Sequence, residues 1–275
     1  MSKIQSNTSG LYFLKLGGSL ITDKSKPRTP RPEVLSRISE EIATARSSNP
    51  ELLLVLGHGS GSFGHIPANK YGTRGGVRSL SDWKGFVEVW YEASTLNRLV
   101  MDALHTAGLP GISFPVSAAV TTKDGQIASW DLSSINTCLE TGLLPVVFGD
   151  VAFDSYRGGT ILSTEDIFDY LALHLKPTRV LYAGIERGVW ADYPQCKKII
   201  TEITPSNLPQ YMKALGGSAA VDVTGGMASK VQQGMALVQK FPGLEVLIFS
   251  GNIPETIQNT LSGINMGTIL HAGKH

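Results

Sequence analysis

Cysteine is nearly absent: Cys138 and Cys196 are the two in 275 residues, at a separation that fits neither a zinc-ligand spacing nor a disulfide framework. Charge of one sign is equally scarce, with 24 Lys plus Arg against 23 Asp plus Glu and a formal net charge of +1. No global field therefore steers the chain toward nucleic acid or an anionic membrane, and any anion specificity has to be local. No apolar run reaches transmembrane length. The opening `MSKIQSNTSG` is polar and lacks an apolar h-region, so the expectation is a cytoplasmic chain with neither leader nor anchor. Also missing are the G-x-x-x-x-G-K-[ST] loop, a G-x-G-x-x-G opening a βαβ unit, H-E-x-x-H, a serine-hydrolase elbow and any Cys/His cluster.

What is there begins with short apolar runs: `LYFLKL` (11–16), `LLLVLG` (52–57), `GISFPV` (111–116), `LPVVFG` (144–149), `RVLYAG` (179–184), `EVLIFS` (245–250) and `GTILHA` (267–272). Most are apolar on both faces, as strands covered by helices on both sides must be. Between them lie helical patterns. Residues 33–45 carry Val34, Leu35, Ile38 and Ile42 at helical spacing, and residues 83–104 carry Phe86, Trp90, Asn97, Val100, Met101 and Leu104. In `STEDIFDYLALHL` a Ser163/Asp166 capping box precedes the stripe Ile167, Leu171, Leu175. Alternating strands and helices predict an α/β class with a central, mainly parallel sheet, as one domain over 1–275.

Three glycine-rich stretches then call for explanation. Gly17 and Gly18 in `LKLGGSLITDK` follow a strand, where ligands of open α/β sheets collect, and Lys15 and Lys24 flank them. A glycine pair lets backbone N–H groups approach an anion without a Cβ in the way. A tight turn beside two solvated lysines is the competing explanation. `GHGSGSFGH` (57–65) follows a second strand and reads as a loop whose amides need an anionic partner, with His65 at its end able to donate to a phosphate and His58 structural. `DVTGGMASK` (222–230) places Thr224 as cap of a helix with Lys230 in its early turn and Val231, Met235 and Val238 buried. Three such elements with three lysines point to a ligand with several phosphates, and hence to phosphoryl transfer, whose catalysis is mostly positioning and charge neutralisation.

Taken in order, `KLGGSLITDK` (15–24), `GHGSGSFGH` (57–65), `FGD` (148–150), `GTILSTEDI` (159–167), `GVWADYP` (188–194) and `DVTGGMASK` (222–230) resemble the motifs of the amino acid kinase superfamily, and more narrowly those of the isopentenyl phosphate kinases. The resemblance covers about residues 11–270, and the `GSFGH` ending in His65 is its discriminating piece. It implies a three-layer αβα sandwich. The acceptor lobe would span about 11–178 and the nucleotide lobe about 179–272. It implies ATP with Mg²⁺, the metal held mainly by ATP phosphates and water with no protein ligands, isopentenyl phosphate as acceptor, and a homodimer. Carried over by position, Lys15 contacts the transferring phosphates and Lys24 neutralises the transition state. His65 binds the acceptor phosphate beside the Ser60 and Gly61 backbone, with Gly158 or Gly159 closing on it. Asp150 sits between the lysines and orients them, as a carboxylate between two ammonium groups would. Gly17, Gly18, Gly61, Gly188, Asp192, Gly226 and Lys230 line the nucleotide site. Phe86, Val87, Trp90 and Ile135 are candidates for the wall around the acceptor's apolar tail.

Two alternatives stand beside this reading. A fosfomycin-kinase-like phosphonate kinase would share the histidine-ended loop, and a non-catalytic nucleotide-binding module would share the fold.

Overall fold

The run Leu11–Leu16 pairs in parallel with Leu53–His58 on one side and Arg179–Gly184 on the other, and Phe13, Leu14, Val55 and Leu181 are fully buried. Strands apolar on both faces have thus found cover on both faces. The computed structural model describes residues 10–216 and 226–273. In chain order its first elements are β1 (Leu11–Leu16), α1 (Gly18–Ile21), α2 (Pro32–Ser48), β2 (Leu53–His58), α3 (Gly61–Tyr71), α4 (Leu80–Thr106), β3 (Gly111–Ser113) and α5 (Val116–Ala119). There follow β4 (Val120–Lys123), β5 (Gln126–Trp130), α6 (Ser133–Glu140), β6 (Leu144–Phe148), β7 (Asp150–Asp154), β8 (Gly158–Leu162) and α7 (Thr164–Leu175). The remainder comprises β9 (Arg179–Gly184), β10 (Val189–Trp190), β11 (Ile199–Ile200), β12 (Glu202–Ile203), α8 (Leu208–Gly216), α9 (Met227–Lys240), β13 (Glu245–Ser250), α10 (Thr256–Leu261) and β14 (Gly267–Leu270).

The main sheet runs β12-β14-β13-β9-β1-β2-β6-β3, parallel throughout except for the β13–β14 pair. Phe13, Val55, Val147, Val180 and Val246 point to one face, where Phe168 of α7 and Val231 of α9 cover them. Leu14, Leu56, Val146, Leu181 and Leu247 point to the other, under Ile38 and Ile42 of α2 and Leu96 and Val100 of α4. This is the expected αβα sandwich.

Three local readings change. A second, four-stranded sheet of order β5-β4-β7-β8 lies within residues 120–162; none of its strands coincides with an expected run, whereas `LPVVFG` in the same stretch forms β6 of the main sheet as expected. Its strands of four or five residues, such as β4 with alternating burial, are too short to show a period in sequence. The stretch 57–65 is less loop than expected: α3 begins at Gly61, so His65 stands on a helix. Thr224 lies outside the described residues; α9 starts after Gly226 and buries Val231, Met235 and Val238 as anticipated.

Candidate active site

Lys15 rises from β1 on the face it shares with Phe13, and α7 lies over that face. The Ser163/Asp166 capping box fixes where α7 begins: Ser163 Oγ accepts from Asp166 N (3.1 Å) and the Asp166 carboxylate accepts from Ser163 N (2.8 Å). That start brings Glu165 within reach of Lys15, whose Nζ donates to Glu165 Oε1. Both side chains are largely withdrawn from water, 11% and 15% exposed. Burial by itself raises the Glu165 carboxyl. The Lys15 ammonium, with the field of Lys230 behind it, outweighs that and holds the group below the usual carboxylate range. Lys15 thus pairs directly with this carboxylate at the end of the sheet, and Lys230 acts on it through its field.

Glu165 is the residue that sequence reading missed, although it lies in the quoted `STEDI`. It corrects the role given to Asp150. The hydrogen bonds of Asp150 run to Ser117 Oγ (2.6 Å) and Val151 N (2.8 Å), and its carboxyl is fully buried. Burial pushes it up to about 6, against the pull of those bonds. The carboxylate that holds Lys15 is Glu165.

The two glycine turns are pressed together. A Cβ on Gly18 would stand 2.5 Å from Gly61 N, and one on Gly61, at φ +51°, 2.2 Å from Thr22 Oγ1. Thr22 ties the turns, its Oγ1 accepting from Ser62 N (2.9 Å) and donating to Gly18 O (2.7 Å). Gly17 N donates to Ala183 O (2.8 Å), which fastens the first turn to β9. Close backbone packing therefore accounts for these glycines independently of any anion. Lys24 lies exposed in the loop that follows.

Ser60 precedes α3, its carbonyl accepting from Phe63 N and Gly64 N. His65 is half-buried one turn into the helix, and Ala68, three residues on, packs against Val77 and Phe86. Gly158 and Gly159 back onto the same cluster. A Cβ on Gly158 would lie 2.2 Å from Val77 O, and one on Gly159 2.8 Å from the Phe86 ring. The face of α3 bearing His65 and the strand bearing Gly158 and Gly159 so meet one apolar cluster, which Trp83 and Phe153 extend. Of the other wall candidates, Ile135 is fully buried in the core over α7, while Val87 and Trp90 are exposed. His58 is structural as expected: buried, stacked on Phe148 and 3.1 Å from Asn97 Nδ2 through Nε2.

Among the residues expected to line a nucleotide site, Gly226 caps α9 and Lys230 sits in its first turn. Gly188 is close-packed, since a Cβ there would meet Thr268 Oγ1 at 2.8 Å. The Asp192 carboxylate accepts from Lys197 N (3.1 Å) and Lys198 N (3.0 Å), so it holds its own loop in shape.

A sequence profile described as the Amino acid kinase family matches residues 11–250. The isopentenyl phosphate kinase of Methanocaldococcus jannaschii is 36% identical over 264 residues, covering 94% of this chain and 97% of that one. That of Methanothermobacter thermautotrophicus is 33% identical over 273 residues, covering 96% and 100%. A solved isopentenyl phosphate kinase structure superimposes with a TM-score of 0.77 at 29% identity, over 94% of this chain and 99% of that one. The chain belongs to the amino acid kinase family, on its isopentenyl phosphate kinase branch.

Proposed function

We propose that this protein transfers the terminal phosphoryl group of ATP to the phosphate of isopentenyl phosphate, forming isopentenyl diphosphate. The observation that carries the reading is the largely buried Lys15–Glu165 pair at the carboxyl end of β1, with the field of Lys230 acting on the same carboxylate. The relatives named above are isopentenyl phosphate kinases and match along almost their whole length. The lobe boundary falls near residue 178, with the acceptor residues before it and Gly188, Asp192, Gly226 and Lys230 of the nucleotide site after it.

The chemistry follows from charge. The attacking oxygen belongs to a phosphate and is already anionic, so no general base is required; what is required is neutralisation of converging negative charge. Lys15 and Lys230 supply it around the transferring group, and Lys24, in the loop after the first glycine turn, supplies it toward the acceptor. Glu165 keeps Lys15 in place before the nucleotide arrives. His65 hydrogen-bonds the acceptor phosphate, assisted by backbone of Ser60, Gly61 and the Gly158–Gly159 pair. Phe86 and its cluster give the hydrocarbon tail an apolar neighbour. Gly17, Gly18, Gly188, Asp192 and Gly226 belong to the walls of the nucleotide site.

Among the described residues no group of three or more His, Cys, Asp or Glu could hold a metal. The proposed Mg²⁺ arrives on the nucleotide phosphates and keeps water as its other ligands. No described helix is long and apolar enough to cross a membrane, and we place the enzyme in the cytoplasm. A homodimer is the proposed assembly; Leu80, Val87, Trp90 and Tyr91 leave apolar surface exposed along α4, and sedimentation velocity tests it.

Phosphorus NMR of the protein with Mg-ATP and, in turn, isopentenyl phosphate, dimethylallyl phosphate and fosfomycin tests the activity. New diphosphate resonances with the isoprenoid phosphates, forming much faster than any product of fosfomycin, are expected. Turnover of fosfomycin alone would overturn the assignment.

A further inference from the structure

Residues 23–30 form the loop that carries Lys24, and most of their ties are local. The Thr22–Pro30 bridge closes the neck, and Asp23 N donates to Thr29 O (2.9 Å). The Asp23 carboxylate accepts from Ser25 N (2.9 Å) and Ser25 Oγ (2.7 Å), which turns the chain at Lys24. The returning limb is fastened to the first turn of α3, where Arg28 N donates to Ser62 O (3.2 Å) and Thr29 N to Ser62 Oγ (3.2 Å).

Arg28 departs from this pattern. Its φ of +50° is a left-handed conformation, which costs a residue bearing a side chain on the order of 1 kcal/mol. In that conformation the side chain reaches α4: Nε stands 3.2 Å from Glu92 Oε2, and the guanidinium lies over the Tyr91 ring, 5.9 Å from its centroid. Beside this contact is a cavity of about 480 Å³ bordered by Pro27 of the loop, Ile66 and Pro67 of α3, and Val87 of α4. Close apolar packing therefore does not seat the loop on α4, and the ion pair spans the gap. The Glu92 side chain is 15% exposed, against 52% for Arg28. Burial raises the Glu92 carboxyl, Arg28 pulls it back, and Glu88 adds to the rise. A carboxylate drawn out of water for one partner contributes little to stability beyond what an apolar side chain of its size would; what the pair can supply is a defined geometry. Backbone strain and a desolvated carboxylate are thus two costs borne at one contact. That contact joins the Lys24 loop to the helix that also carries Phe86 and Val89 of the acceptor cluster.

We propose that Glu92 is a positioning residue for phosphoryl transfer: by holding Arg28 it fixes the loop against α4 and so sets where Lys24 stands relative to the acceptor. The proposal rests on the assignment of Lys24 to the charge that develops toward the acceptor. With one helix presenting both the tail cluster and the anchor of the loop, the lysine and the acceptor share a common reference.

Glu92→Gln removes the charge, keeps the shape and strands no buried group, since Arg28 is half exposed. With Mg-ATP and isopentenyl phosphate, kcat is expected to fall about tenfold or more, the scale of a misplaced catalytic group. KM for both substrates and the melting temperature should stay near wild type, because Lys24 acts on charge that grows in the transition state. Arg28→Asn tolerates the left-handed backbone but cannot span the gap, and it should lower kcat by at least as much. The deciding comparison is made in Lys24→Ala, where Glu92→Gln should have no further effect on kcat. A multiplied loss there means that the carboxylate acts on something other than Lys24 and overturns the proposal, as does full turnover in Glu92→Gln. Full turnover in Lys24→Ala would instead overturn the assignment on which it rests.

Discussion

Lys15 and Glu165, 150 residues apart in sequence, form a largely buried ion pair at the carboxyl end of β1. Removing the charge of one partner while keeping its shape isolates the positioning role. Glu165→Gln is expected to lower kcat by about ten- to a hundredfold, the scale of a misplaced catalytic group. Lys15→Ala is expected to lose on the order of 10²–10³, as for other preorganised charge-stabilising groups. Steady-state kinetics with melting curves separate the two effects from unfolding, and full turnover in Glu165→Gln would remove the carboxylate from the mechanism.

His65 stands on α3 three residues before Ala68, which packs into the cluster that Gly158 and Gly159 back onto. His65→Ala is expected to cost on the order of 10²–10³ in turnover and to raise KM for the acceptor, leaving KM for ATP near its original value. An effect falling equally on both substrates would place the histidine elsewhere in the cycle.

At Gly18 the obstacle to a side chain is backbone: a Cβ would lie 2.5 Å from Gly61 N. Since backbone cannot rotate out of the way, Gly18→Ala has to pry the two turns apart. A loss of about 1–3 kcal/mol in denaturant unfolding is expected from the overpacking, together with a fall in turnover larger than stability explains. Unchanged melting and unchanged kcat would show that the turns part without consequence.

Two buried groups contribute opposite slopes to the pH profile of stability. Burial, only partly offset by the bond to Gly59, lowers folded His58 to about 4, while the unfolded chain binds that proton near 6.5. Stability is therefore lost as pH falls from 6.5 to about 4, on the order of 3 kcal/mol from this residue. Asp150 opposes the trend. Its folded carboxyl takes a proton at about 6 and its unfolded one at 3.8, so it contributes stability as pH falls across that window. Asp150→Asn should steepen the acid decline, and urea unfolding at a series of pH values reads it directly.

Much of this molecule can be read from local pattern. β1, β2, β9 and β13 announce themselves because both their faces are apolar, and α7 because Ser163 and Asp166 cap it three residues apart. The helical character of α3 is hidden by Gly61, Gly64 and Pro67, poor helix formers that tertiary contacts override. The four-stranded sheet within 120–162 offers only short strands: β4 and β5 are half-exposed, and β7 and β8 are largely buried but only five residues long. Glu165 was invisible for a different reason: its partner is distant in sequence, and a carboxylate in a first helical turn looks like an ordinary complement to the helix dipole. Asp150 attracted the role that Glu165 holds because its position beside a strand end was legible while its burial against Ser117 was not.

The seam between Gly18 and Gly61 also governs how such an enzyme could acquire a new substrate. On the proposed function one turn serves the donor end of the reaction and the other leads into the helix assigned to the acceptor, and Thr22 bolts them into a single plate. The span between the two reacting phosphates is then set by main chain, out of reach of any side-chain exchange. Variation that lengthens or shortens the acceptor has to be absorbed at the far end of the tail, around Phe86, Trp83 and Phe153, where rings can be traded for smaller groups without disturbing the gap across which the phosphoryl group moves.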